Sequence, residues 1–358
     1  MASIEQLAVD NVRQLTPYQS ARRIGGNGDV WLNANEAPAA PNLTLSDDAL
    51  NRYPEPQPEQ VLTNYAAYAG IGTDQLLVSR GADEAIELLI RTFCGSDDNI
   101  LYCPPTYGMY TISAQTCGVG IKTVPLTADW QLDVDAIKAN LDNVKLVFVC
   151  SPNNPTGNLL KREDIEAVIQ ACAGRAIVVV DEAYIEFSPE ANCVELINQY
   201  DNVAILRTLS KAFGLAGLRC GFALASAEII GLLLKVIAPY PIPVPIADLA
   251  AQALTPAGIN AMQQRVAELN DNRQWLLQQL EQCPDVAATY PGAGNYLLAR
   301  FHDAPKIFAA LSASGVIVRD QSKQLGLDGC LRFTVGEWEE LERVVDVLVR
   351  HSREGGNP

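Results

Sequence analysis

The chain has 358 residues, 48% of them hydrophobic and 19% charged, enough to bury a sizeable core and to divide into two domains. Its 42 acidic residues against 26 basic ones leave a formal charge of −16, which repels nucleic acid and anionic membrane surfaces and argues against both as partners. No basic and apolar leader opens the sequence and no run approaches the roughly 18 apolar residues of a membrane span, so the expected location is the cytoplasm.

Along the chain, residues 1–30 are too few for a domain and are expected to form an N-terminal arm, packed on the smaller domain or on a partner. A large domain is expected over 31–250, built as an α/β unit with a mostly parallel sheet covered by helices. Its first marker is "VSRGADEAIELL" at 78–89, a short strand followed by Gly81 and a helix that begins near Ala82 and Asp83. Exposed amides at such a helix start can hold a phosphate, although a plainly capped helix looks the same. A strand over 145–150, "KLVFVC", runs into "SPNNPTG", where Asn154 is held extended by the following proline. A helix over 161–174 ends in Gly174, and a strand over 176–180 delivers Asp181 among valines, where a lone carboxylate is costly unless a cation meets it.

The next strand, 203–207, leads into "TLSKAFGLAGLR" and then a strand over 219–224. Lys211 is one of only eight lysines, and it sits between an apolar strand and an apolar, glycine-containing turn. Desolvation there should lower its amine pKa and make it a nucleophile towards an aldehyde. Thr208 and Ser210 precede it, and Arg219 follows with a guanidinium suited to phosphate. Prolines over 238–250 are expected to break regular structure before a long helix at 256–282 carries the chain into a small α+β domain over 251–350. That domain should hold strands at 295–301, 315–319 and 330–335 and helices at 304–313 and 337–350, with a disordered tail over 351–358. Nine scattered cysteines suggest reduced core thiols, and two histidines are too few for a histidine-rich metal site or a serine–histidine–acid triad; no metal is expected.

In a doubly wound sheet, ligands bind outside the carboxyl ends of the strands, which is where these polar residues fall. A lysine for an aldehyde, an acid for a pyridinium nitrogen, and hydroxyl, amide and arginine donors for a phosphate are what pyridoxal 5′-phosphate requires of a protein. Lys211 would take the aldehyde, Asp181 the ring nitrogen, and Asn154 and Tyr184 the ring's phenolate oxygen. Thr208, Ser210, Arg219 and the amides near Ala82 and Asp83 would take the phosphate.

On these motifs, with "WLNANEAP" at 31–38, "RYPEPQP" at 52–58, "PPTYGMY" at 104–110 and "CLRFTVG" at 330–336, the chain resembles the fold-type I aminotransferases and, within them, the histidinol-phosphate aminotransferase family. The resemblance covers nearly the whole chain. It implies a homodimer with shared active sites, Tyr107 stacked on the cofactor ring, and Tyr53 reaching into the neighbouring subunit's site. It further implies that Arg332, helped by Arg319, Tyr18, Asn33, Asn154 and Tyr53, binds substrate. The implied reaction passes an amino group from glutamate through the cofactor to imidazole-acetol phosphate, giving 2-oxoglutarate and L-histidinol phosphate in two alternating half-reactions. An aromatic amino-acid aminotransferase and a threonine-phosphate decarboxylase are alternatives on the same scaffold. A cofactor-binding regulator is another, but the chain has neither the length nor the basic charge for a DNA-binding module.

Overall fold

Uninterrupted apolar strands suit a sheet that is covered on both faces, because each side chain then packs against a helix layer. The computed structural model describes residues 8–16, 28–45 and 50–354. Strand β1 (Val30–Trp31) stands apart; β2 (Leu76–Ser79), β3 (Asn99–Tyr102), β4 (Gly120–Thr123), β5 (Val144–Cys150), β6 (Ile177–Asp181), β7 (Val203–Thr208) and β8 (Gly221–Ala225) form one sheet, ordered β2-β8-β7-β6-β5-β3-β4. All its strands are parallel except β8, which runs antiparallel to β2 and β7. The expected central strands are all present. The last starts at Gly221 rather than 219, because Arg219 adopts a left-handed turn conformation, φ 53°, before the chain enters the sheet. Strands β3 and β4 were not anticipated, since four residues each are too few to show a period.

A second, antiparallel sheet contains β9 (Val286–Tyr290), β10 (Tyr296–Phe301), β12 (Arg319–Asp320) and β13 (Cys330–Thr334), in the order β12-β13-β10-β9. Between them in sequence, β11 (Val316–Ile317) pairs in parallel with β1. The strand expected over 315–319 is therefore two short ones, because the chain changes partner at Val318, from β1 to β13. The segment after β1 is tied to this smaller unit: Thr334 N–H donates to Leu32 O (2.9 Å) and Asn35 N–H to Thr334 Oγ1 (2.9 Å).

Helices α1 (Glu59–Ala69), α2 (Ala82–Phe93), α3 (Met109–Cys117) and α4 (Arg162–Cys172) belong to the larger unit. Helix α5 (Val244–Ala253) forms where prolines were expected to prevent it: Pro243 is its N-cap and Pro245 lies in its first turn, where no intrahelical N–H is needed. Helix α6 (Pro256–Glu281) starts on a Thr255 cap, whose Oγ1 accepts from Gly258 N–H (3.2 Å), and α7 (Ala304–Ala313) and α8 (Trp338–Glu354) pack together in the smaller unit. Helix α8 extends to Glu354, into the tail that was expected to begin at 351. Of the arm, Asp10–Arg13 form one helical turn beside α3, not beside the smaller unit. Asn11 Nδ2 donates there to the carbonyls of Gln115 (3.0 Å) and Thr116 (3.2 Å) in the last turn of that helix, where Gly118 N–H also reaches Gln115 O (3.1 Å).

Candidate active site

The carboxyl ends of β5, β6 and β7 open on one cavity of about 310 Å³ between the two sheets. Parallel pairing sets Cys150 beside Asp181 and Asp181 beside Leu206, so the polar strand ends arrive at one level. Asp181 is 2% exposed; its Oδ2 accepts from Tyr110 O–H (2.7 Å) and its Oδ1 from Ala183 N–H (3.1 Å). Burial raises its pKa to about 6, against the lowering effect of those two donors.

Lys211 lies across the cavity, with Nζ donating to Ala34 O (3.0 Å) and 5.6 Å from the centre of the Tyr184 ring. Burial, followed by the positive charge of Arg332, lowers its pKa to about 8. Tyr184 O–H is a meeting point for amide donors, Asn35 Nδ2 at 3.0 Å and Asn154 Nδ2 at 3.4 Å. The turn after Lys211 needs glycine at 214: its φ is +69°, and a Cβ there would lie 2.8 Å from Ala39 O.

At one end of the cavity Thr208 Oγ1 donates to Ser210 Oγ (2.9 Å), and Arg219 Nη1 donates to that same Ser210 oxygen (3.4 Å). Arg219 also meets the Asp83 carboxylate at 3.1 Å. Helix α2 points its start at this cluster, and its N-cap is Gly81, which has no side chain to occupy the first-turn amides of Ala82 and Asp83. Gly81 has φ +80°, and a Cβ on it would come within 2.7 Å of Arg219 Nη2. Backbone, hydroxyl and guanidinium donors thus converge where an anion can sit, a role the Asp83 carboxylate partly fills.

At the other end, β12 and β13 pair Arg319 with Arg332. Arg332 is buried, donates through Nη2 to Asn33 O (2.9 Å) and through Nη1 to Asn154 Oδ1, and lies over the Tyr296 ring, 5.5 Å from its centre. Its guanidinium is held by protein acceptors while still lining the cavity with Arg319.

A family model described as aminotransferase class I and II matches residues 27–348. The chain belongs to that family. Among curated aminotransferases, it is 60% identical to the histidinol-phosphate aminotransferase of Serratia proteamaculans, over 97% of this chain and 96% of that one. It is 59% identical to the histidinol-phosphate aminotransferase of Yersinia enterocolitica, over 97% of this chain and 93% of that one. The fold matches the crystal structure of histidinol-phosphate aminotransferase from Sinorhizobium meliloti in complex with pyridoxal-5′-phosphate, with a TM-score of 0.85 at 21% identity over 98% of each chain.

Pyridoxal 5′-phosphate is the cofactor of this aminotransferase family, and the residues present fit it. The cavity offers a desolvated amine, a buried carboxylate with lone pairs left beyond its two protein donors, and a separate anion cradle at a helix start. Lys211, Asp181, Asn154, Tyr184, Tyr107, Ala82, Asp83, Thr208, Ser210, Arg219, Arg319, Arg332 and Asn33 all line it. Tyr53 does not: it is 82% exposed and stacks on Tyr240 with ring centres 4.7 Å apart. Tyr18 lies outside the described residues.

Sequence reasoning left out Tyr110, whose hydroxyl reaches Asp181, and Asn35, which donates to Tyr184. Tyr110 reads as an ordinary core aromatic, and it does stack on Phe148 with ring centres 4.7 Å apart; only the fold shows where its hydroxyl points. Gln321 and Gln324, also in the cavity wall, lie in a stretch whose polarity suggests only a surface loop.

Proposed function

We propose that this aminotransferase transfers the amino group of L-glutamate to imidazole-acetol phosphate, giving 2-oxoglutarate and L-histidinol phosphate, the transamination of histidine biosynthesis. The observation that carries the reading is a single cavity with Lys211 and Asp181 at its centre and a separate set of anion-binding groups at each end. One end, with Arg219, Ser210, Thr208 and the amides of Ala82 and Asp83, suits the cofactor's phosphate. The other, with Arg319 and Arg332, suits the phosphate of histidinol phosphate or the distal carboxylate of glutamate, since a guanidinium fork matches both anions.

When bound, pyridoxal phosphate supplies an aldehyde that takes up the amino group and a protonated ring that accepts the electron pair left when the substrate's α-proton departs. Lys211 Nζ would hold the cofactor through its aldehyde and, when free, would carry that α-proton. With a pKa near 8, a usable fraction of Nζ is unprotonated just above neutral pH. Asp181 is ionised in the same range, because even its raised pKa of about 6 lies below it, and it would keep the ring nitrogen protonated. Tyr184 and Asn154 would donate to the ring oxygen, and Tyr107 would cover the ring. Tyr107 O–H donates to Asp83 Oδ1 (2.9 Å), which fixes its ring near the phosphate end.

Tyr53 serves the neighbouring subunit of a homodimer: it stands outside its own cavity, exposed and braced against Tyr240. No helix among the described residues is long and apolar enough to cross a membrane, and we place the enzyme in the cytoplasm. The test is one half-reaction: L-histidinol phosphate is added without keto acid to the cofactor-loaded protein, with phenylalanine and histidinol in parallel, and the cofactor absorbance is followed. Rapid conversion to the amine form of the cofactor by histidinol phosphate is expected. Conversion by phenylalanine alone would move the enzyme to the aromatic aminotransferases.

A further inference from the structure

Strand β12 carries Arg319, and two residues later comes Gln321; alternation along an extended chain turns both side chains to one face. The ladder with β13 continues past Asp320, because Gln321 N–H donates to Cys330 O (2.9 Å), and it sets Arg332 directly opposite Arg319. Arg319, Gln321 and Arg332 therefore share one wall of the cavity.

Gln321 is only 6% exposed, and its two amide atoms are used differently. Oε1 accepts from Gln324 Nε2 (2.8 Å), while Nε2 meets no acceptor among the described residues and keeps its access to the cavity. Whatever fills the cavity at that wall must accept from this N–H₂ or leave it unpaired, and an unpaired donor weakens binding. Two guanidiniums beside it define the acceptor as an anion.

We infer that Gln321 donates through Nε2 to the substrate's phosphate group, and that Gln324 is a positioning residue that holds the Gln321 amide in its donating orientation. This rests on the substrate reading above. A carboxylate presents two oxygens, which a pair of guanidiniums can cover; a phosphate monoester presents a third, and Gln321 supplies its donor. The residue therefore favours the phosphate-bearing substrate over glutamate at a wall that must accept both.

The experiment compares the cofactor-loaded wild type with Q321L, Q321E and Q324E in separate half-reactions with L-histidinol phosphate, L-histidinol and L-glutamate. Q321L should raise KM for histidinol phosphate about tenfold with kcat little changed, the size of a lost hydrogen bond to a charged group. Its effect on glutamate should be smaller, and histidinol, which has no phosphate, should be unaffected. Q321E, an acceptor in place of a donor, should raise the histidinol phosphate KM further, and added salt should partly relieve the rise. Q324E should reverse the Gln321 amide, which then donates to the new carboxylate, and so raise the same KM without a direct substrate contact. Equal losses with histidinol and histidinol phosphate, or variants with unchanged KM, would overturn the role of Gln321. A wild type that leaves histidinol phosphate unconverted overturns the substrate reading and this inference with it.

Discussion

Asp181→Asn separates what the carboxylate does for the reaction from what it does to the fold. In the cofactor-free protein the buried carboxyl has a pKa of about 6 against an ordinary 3.8, so the folded state holds its proton more tightly than the unfolded chain does. Stability from this group is complete below 3.8 and is lost as pH rises through 6. At 1.36 kcal/mol per pKa unit the loss reaches about 3 kcal/mol at pH 8. Asparagine cannot ionise and escapes that loss, but its single oxygen cannot serve both Tyr110 O–H and Ala183 N–H as the two carboxyl oxygens do, which costs about 1 kcal/mol. The variant should therefore be more stable than wild type by about 2 kcal/mol at pH 8, with the advantage falling below about 1 kcal/mol at pH 5. Urea denaturation of both cofactor-free proteins at pH 5, 6.5 and 8 reads this directly. Transamination should meanwhile fall by orders of magnitude, because the anion proposed to keep the ring nitrogen protonated is gone. A variant no more stable than wild type at pH 8, or one with an advantage that does not change with pH, would refute the view that Asp181 is held ionised at the expense of the fold.

Lys211→Gln should abolish turnover while some cofactor is retained through the phosphate cradle and Asp181, as shown by equilibrium dialysis of the cofactor. Because the Lys211 pKa is depressed from 10.5 to about 8, stability from its neutral form is present above 10.5 and is lost as pH falls through 8; the variant should be the more stable protein at pH 6.5, and the gap should close towards pH 10. Gly81→Ala combines a left-handed backbone position with a Cβ 2.7 Å from Arg219 Nη2, so it should lower the melting temperature and weaken cofactor binding at least tenfold, read by titration of absorbance. Arg207→Met breaks the buried ion pair with Glu182 (2.8 Å) and strands its carboxylate, so urea unfolding should show a loss of about 3–5 kcal/mol. Expression at normal solubility with no loss of stability would contradict it.

How much of this was legible in the sequence depends on how far each signal reaches along the chain. The central strands announce themselves because β5, β6 and β7 are buried on both faces and so read as plain apolar runs. Strands β3, β4 and the split pair β11 and β12 are defined by partner residues that are not their chain neighbours, and nothing local marks their ends. The residues at the cavity centre were legible because their chemistry is unusual in context: a lysine or an aspartate beside an apolar strand needs a reason. Tyr110, Asn35 and Gln321 were not, since tyrosine in a helix and amides in loops are ordinary, and only the fold aims them at a cavity.

The consecutive acids Asp181 and Glu182 show where local reading stops. Composition treats them alike, and a buried pair with a structural arginine suits either. The pleat decides between them, since neighbours on a strand face opposite sides of the sheet. Val179 packs in the core layer that holds Tyr110 and Phe148, and Asp181, in step with it, meets the Tyr110 hydroxyl. Val178 and Val180 pack in the other layer, and Glu182, in step with them, takes Arg207, itself in step with Val203 and Ile205 on β7. Thr208, one residue beyond Arg207, returns to the Asp181 side with Ala204 and Leu206 and carries the hydroxyl of the anion cradle. Two adjacent strands thus end in the same way, one residue committed to the ion pair and its neighbour to the cavity. A slip of one residue between apolar run and terminal acid would exchange Asp181 for Glu182 and put the site's carboxylate against a guanidinium that neutralises it.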